Sequence, residues 1–115
     1  MLFRSKFEDA IAQLEDFDSS DEILGPIAIG AIGDAKMELS KTDEAIDSYL
    51  KAANKKKNKF TSPIYLMKAG LAYEGKKEYA NALKTYETIK SDYTETNEGR
   101  NADKYIARAK LLTEN

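Results

Sequence analysis

The sequence contains no cysteine and no histidine. That removes the usual zinc ligand sets, thiol nucleophiles, disulfides and every imidazole-dependent triad. Lack of cysteine suits any redox compartment, so it does not choose between cytosol and periplasm. Proline and glycine are scarce, at two and six residues, so the composition is neither collagen-like nor that of a disordered chain. An excess of charge is missing too. Eighteen basic and twenty acidic residues leave a net charge of -2, which excludes the broad electrostatic footprint of a nucleic-acid or anionic-membrane binder. No apolar run approaches the roughly 20 residues that span a bilayer, and the opening Met1-Leu2-Phe3-Arg4-Ser5 lacks an extended apolar signal region. What is present is 42% hydrophobic and 33% charged over 115 residues, the make-up of one soluble domain rich in helix formers.

An internal repeat organises the chain. Stretches from Pro26 and from Pro63 align without a gap at an offset of 37 residues. Pro26-Ile27 matches Pro63-Ile64, Gly33 matches Gly70, Ala45 matches Ala82, and Tyr49 matches Tyr86. Apolar character is kept between Ile29 and Leu66, Ile46 and Leu83, and Ala52 and Ile89. A glycine inside a helix costs about 1 kcal/mol relative to alanine, so Gly33 and Gly70 at equivalent positions argue for close helix packing. Small Ala45 and Ala82 accept the neighbour from the other side, and Tyr49 and Tyr86 fill the space between successive pairs.

Hydrophobic period and local punctuation predict helices over about 5–17, 24–39, 42–55, 62–75, 78–91 and 97–113. Ser62-Pro63 reads as a cap followed by a proline in the first turn, and Gly25-Pro26 opens the earlier equivalent helix in the same way. Ser5-x-x-Glu8 fits a capping box ahead of Phe7, Ala10, Ile11, Leu14 and Phe17. The resulting domain is all-α, a solenoid of antiparallel helix pairs with about six helices. It divides into a half repeat (5–22), two repeats (26–62 and 63–96) and a polar-backed capping helix (97–113), in which Ala102, Tyr105, Ile106, Ala109 and Leu112 form the apolar stripe. In the half repeat, Phe7, Ala10 and Leu14 stand in the slots of Tyr79, Ala82 and Tyr86.

The second copy reads Leu66-x2-Ala69-Gly70-x2-Tyr73, then Ala82-x3-Tyr86, close to the tetratricopeptide signature W-x2-L-G-x2-Y, then A-x3-F. The first copy reads Ile29-x2-Ile32-Gly33-x2-Lys36, then Ala45-x3-Tyr49. The closing proline is missing from both copies, and Lys36 replaces the first tyrosine. Residues 5–113 resemble tetratricopeptide-repeat proteins. More particularly, the segments Gly25–Asp34 and Pro63–Gly70, with the ending Asp103–Lys110, are similar to the C-terminal part of envelope-associated repeat proteins of Bacteroidetes-type bacteria. The resemblance implies a longer natural protein with a membrane helix and further repeats ahead of this region, which would then face the periplasm. A cytoplasmic location is the alternative.

The function expected is a non-catalytic scaffold holding a peptide or helix of a partner protein, since helical repeats offer a concave surface lined by the first helix of each pair. Carried over residue by residue, the resemblance puts Ile27, Gly30, Asp34 and Met37 on that surface from one copy, and Ile64, Met67, Leu71 and Glu74 from the next. The mix of methionine, aliphatic and acidic residues suits an apolar or mildly basic segment. The competing reading is that Ile27 and Ile64 are simply buried between helices. Carboxylates abound on helix faces, but no pattern isolates a general acid and base, and no cofactor is expected.

Two further features carry weaker signals. Lys55-Lys56-Lys57-Asn58-Lys59, where the repeat runs past its usual length of about 34 residues, offers an alternative function as a regulatory or nucleic-acid-associated adaptor. Its simpler reading is a solvated loop favouring the preceding helix C-terminus. Asp16-x-Asp18-x-Ser20 begins like a calcium loop, but Asp21 and Ile27 stand where glycine and the closing glutamate belong, so these acidic residues end one helix and begin the next. On the first helix, Phe3, Phe7, Ile11 and Leu14 form a stripe that would lack cover without a preceding repeat, which predicts self-association as a two-fold pair. Alternatively, residues 1–4 fold over the stripe.

Overall fold

The computed structural model describes residues 2–114, for Leu2 the backbone alone. Among the described residues are six α-helices and no strand: α1 (Leu2–Glu15), α2 (Leu24–Glu38), α3 (Thr42–Lys55), α4 (Ser62–Gly75), α5 (Tyr79–Asp92) and α6 (Asn97–Thr113). Each helix packs on the next in sequence, and α4 also touches α6. The Cα envelope of 40 × 32 × 16 Å is only two helix layers thick. Connections of three residues join α2 to α3 and α4 to α5, so these partners run antiparallel.

Local chemistry sets the helix ends. Pro26 and Pro63 sit in the first turns of α2 and α4, where a missing N–H costs nothing, and both are fully buried. α2 and α4 end in the same way. Ser40 and Lys77, equivalent at the 37-residue offset, both adopt left-handed backbone, with φ of 60° and 62°. Lys41 N–H then reaches back to the Lys36 carbonyl at 2.9 Å, and Glu78 N–H to the Tyr73 carbonyl at 2.9 Å. This six-to-one closure satisfies carbonyls that the helix end would otherwise orphan. At the other end of α6, Thr96 caps the helix by accepting from Gly99 N–H at 3.0 Å.

Three local expectations are corrected. Ser5 caps nothing, because α1 is already helical from Leu2. Residues 2–4 therefore extend the helix and do not fold back over it, while Met1 lies outside the described residues. Ser62 is the first residue of α4, not its cap. Its buried hydroxyl donates to the Ala53 carbonyl at 2.7 Å and accepts from Asn58 N–H at 3.0 Å, tying the end of α3 to the loop that follows.

The core alternates very small with large side chains. Ala45, Ala52, Ala69, Ala82, Ala102 and Ala109 are wholly inaccessible, and Tyr49, Leu66, Tyr86 and Ile89 fill the space they leave. The repeated glycines face those rings. A methyl group on Gly33 would lie 2.7 Å from the Tyr49 ring, and one on Gly70 would collide with Tyr86. Close approach of aromatic ring to backbone is thus the reason glycine is tolerated in mid-helix at both places.

Candidate functional site

The groove residues expected from the sequence share one side of α2 and α4, since 27, 34 and 64, 71 are separated by about two turns of helix. Ile27, Met37, Ile64 and Leu71 are exposed at 43%, 37%, 42% and 43% of their surface, so Ile27 and Ile64 are not simply buried between helices. Met67 and Glu74 are half-buried on the same face. Gly30 is the exception, because the Tyr65 ring lies directly on it and removes it from the surface.

Asp34 and Glu74 are engaged within the chain. Tyr49 Oη on α3 donates to Asp34 Oδ1 at 2.6 Å, and Lys68 Nζ on α4 donates to both Asp34 oxygens at 2.9 and 3.1 Å. One repeat later, Tyr86 Oη on α5 donates to Glu74 Oε1 at 2.6 Å, and Arg108 on α6 reaches that oxygen at 2.9 Å. Each unit joins a buried tyrosine, a carboxylate on its own pair and a cation from the next pair. Aromatic faces complete both units. Lys68 lies 5.8 and 5.9 Å from the ring centres of Tyr49 and Tyr65, and Arg108 lies 5.0 Å from that of Tyr105.

Burial first, and the adjacent carboxylate second, push the Tyr49 and Tyr86 hydroxyls well above the ordinary phenol value. Both stay protonated donors at any physiological pH. The acidic charge that the sequence offered to a basic partner is thus already paired within the chain, at the surface for Asp34 and half-buried for Glu74, beside the exposed aliphatic side chains of the same face.

Two exposed apolar residues escaped the sequence reading. On α6, read only as a cap, Leu111 is 63% exposed. Phe60, in the loop before α4, is 65% exposed. With Ile64 and Tyr93 it lines an open concavity of about 1140 Å³ at one end of the face. The signal for Phe60 was its position in the residues that lengthen the repeat.

The lysine cluster is exposed and organised by Asn58, whose Oδ1 accepts from Phe60 and Thr61 N–H and whose Nδ2 donates to the Glu22 carbonyl. This contact brings the loop against the acidic 16–22 segment. There Asp21 Oδ1 accepts from Ile23 and Leu24 N–H, both at 2.8 Å, and these bonds hold its carboxyl below the usual range. On α1, Phe7, Ile11 and Leu14 are half-buried on the side packed toward α2, while Phe3 is 74% exposed. Among the described residues no group of three acidic side chains is arranged to hold a metal ion, and no helix is long and apolar enough to cross a membrane. Comparisons with protein families, with characterised proteins and with solved structures find no match to this chain.

Proposed function

We propose that the chain is a non-catalytic scaffold of tetratricopeptide type, which holds an apolar helix or extended segment of a partner protein along the face shared by α2 and α4. The observation that carries this reading is the pair of equivalent aliphatic positions Ile27 and Ile64, left exposed in register beside Leu71 while the neighbouring carboxylates pair with cations of the same chain. Exposed apolar residues aligned on adjacent helices are what a docked amphipathic segment covers. By the resemblance of its repeats, we assign the scaffold to a bacterial envelope assembly, on the periplasmic side of the inner membrane. Self-association through α1 rests on Phe3, and replacement of Phe3 by Asp would return a dimer to a monomer in light scattering. The alternative adaptor role for Lys55–Lys59 is weaker, because the acidic segment beside the loop offsets its charge for a polyanion.

Photo-cross-linking from positions 64 and 71 in the source cell tests the groove. One protein captured from both sites, and not from position 51 on the outer side of α3, supports it. Equal capture from all three positions removes it.

A further inference from the structure

The helices at the two ends of the stack carry opposite charge on their outward faces. α1 packs on α2, while α6 packs on α5 and α4. Helical residues three and four apart share a face. On α6, Arg100, Lys104, Arg108 and Leu111 are exposed on the side opposite the buried Ala102, Ile106 and Ala109, a face with three cations and no carboxylate. Asp103 lies off it toward α5, tied to Lys90 at 2.7 Å, and Glu98 is half-buried on the other flank. On α1, Ser5, Glu8, Asp9 and Ala12 are exposed on the side opposite the half-buried Phe7, Ile11 and Leu14. Asp16 continues that face, its N–H still bonded to the Ala12 carbonyl at 3.3 Å. Arg4 and Lys6 sit on its flanks, and between Lys6 and Lys36 the chain has eight carboxylates and no cation.

These charges are largely unspent within the chain. Arg100 donates to neutral Asn97 at 3.2 Å, Lys104 rests 5.3 Å from the ring centre of Tyr105, and Arg108 alone of the three meets a carboxylate, Glu74. No ion pair reaches Glu8, Asp9 or Asp16 among the described residues. Like charges one turn apart work against their own helix, so each face gains by meeting the opposite sign. The spacings match as well. Glu8, Ala12 and Asp16 advance by four residues, as do Arg100, Lys104 and Arg108, a step of about 6 Å. With the two helices laid antiparallel, Arg108 faces Glu8 and Asp9, Arg100 faces Asp16, and Leu111 approaches the exposed Phe3. Two α1 helices meeting by the same face would instead set carboxylate against carboxylate.

We propose that a second copy of this chain docks end to end, the basic face of α6 on one copy lying antiparallel across the acidic face of α1 on the next. This docking presupposes the reading of α1 as a self-association surface and gives that surface its counterpart. Because the two faces differ, the contact is heterologous. Each docked pair leaves one α1 face and one α6 face open, so assembly continues beyond two copies. Exposed ion pairs orient a contact more than they strengthen it, and salt screens them, so salt disperses the assembly.

Sedimentation velocity of the whole chain over a wide concentration range tests the docking. The parent should grow past two copies with concentration and fall back to monomer in high salt. Arg100→Glu with Lys104→Glu, and separately Asp9→Lys with Asp16→Lys, should each be monomeric. An equimolar mixture of the two variants should associate again, since each offers the face that the other needs, and recovery on mixing rules out misfolding as the cause of the loss. If the α6 variant alone associates as the parent does, α1 pairs with itself, and end-to-end docking is overturned while self-association stands. Association of the α1 variant alone at the parent's level, or a mixture that stays monomeric, overturns the docking too. A parent that is monomeric at every concentration removes both the docking and the self-association.

Discussion

Tyr86 is wholly buried, yet its hydroxyl reaches Glu74 at 2.6 Å on the face that the proposed partner would touch. The ring spans the thickness between the two helix layers, and Gly70 gives it room to do so. The same tyrosine thus fills the core with its ring and holds a surface carboxylate with its oxygen. Tyr86→Phe keeps the packing and removes one charge-assisted bond, so urea unfolding should show a loss of about 1–2 kcal/mol. Tyr86→Ala should lose about 3–5 kcal/mol, because it also leaves a cavity.

Glycine replacements should move stability in opposite directions on one helix. Gly70→Ala gains helix propensity but drives a methyl into the Tyr86 ring, and overpacking of that kind costs about 1–3 kcal/mol. Gly75→Ala meets nothing within 4 Å and should stabilise by roughly 0.5–1 kcal/mol. Thermal unfolding of the two variants beside the parent reads both signs at once.

Ser40 and Lys77 hold left-handed backbone without being glycine. Relief of that strain exceeds the extra chain entropy lost, so Ser40→Gly and Lys77→Gly should each stabilise by about 0.5–1 kcal/mol. Additive gains in the double variant are expected, since the two turns lie at different helix pairs.

Alkali should unfold the protein through its tyrosines. Tyr49 and Tyr86, with Tyr65 and Tyr73, have hydroxyls raised above their ordinary value of 10.0, in every case with burial as the first cause. A folded value above the unfolded one means that stability is fully present below pH 10.0 and is lost as pH rises beyond it. Phenolate absorbance should show a group of tyrosines ionising late and together with loss of helical signal. Tyr49→Phe with Tyr86→Phe should shrink that late step.

The fold was largely legible because its signals are local. α3, α4 and α6 have the bounds that period and punctuation predict, with Pro63 and the 37-residue repeat fixing the register. α1 was misplaced at its start because Ser5 and Glu8 have capping-box spacing inside a helix that is already running, and nothing local distinguishes the two cases. Of the proposed groove, the outward placing of Ile27 and Ile64 follows from the repeat, and both are exposed. Its electrostatics were not legible. Asp34 pairs with Lys68 and Glu74 with Arg108, both 34 residues apart, whereas the alignment at 37 sets Asp34 against Leu71 and hides the relation. The second unit has moved one helical turn along its helix, a shift that only side-chain geometry reveals.

Whether the proposed α2–α4 face holds the partner is read by calorimetry of the captured partner against this chain and two variants of it. Ile64→Asp with Leu71→Asp should abolish binding with helical content unchanged, and Lys56→Asp with Lys57→Asp should leave it as in the parent. Binding that survives the groove variant and is lost with the loop variant would place the partner on the Lys55–Lys59 loop and not on the α2–α4 face.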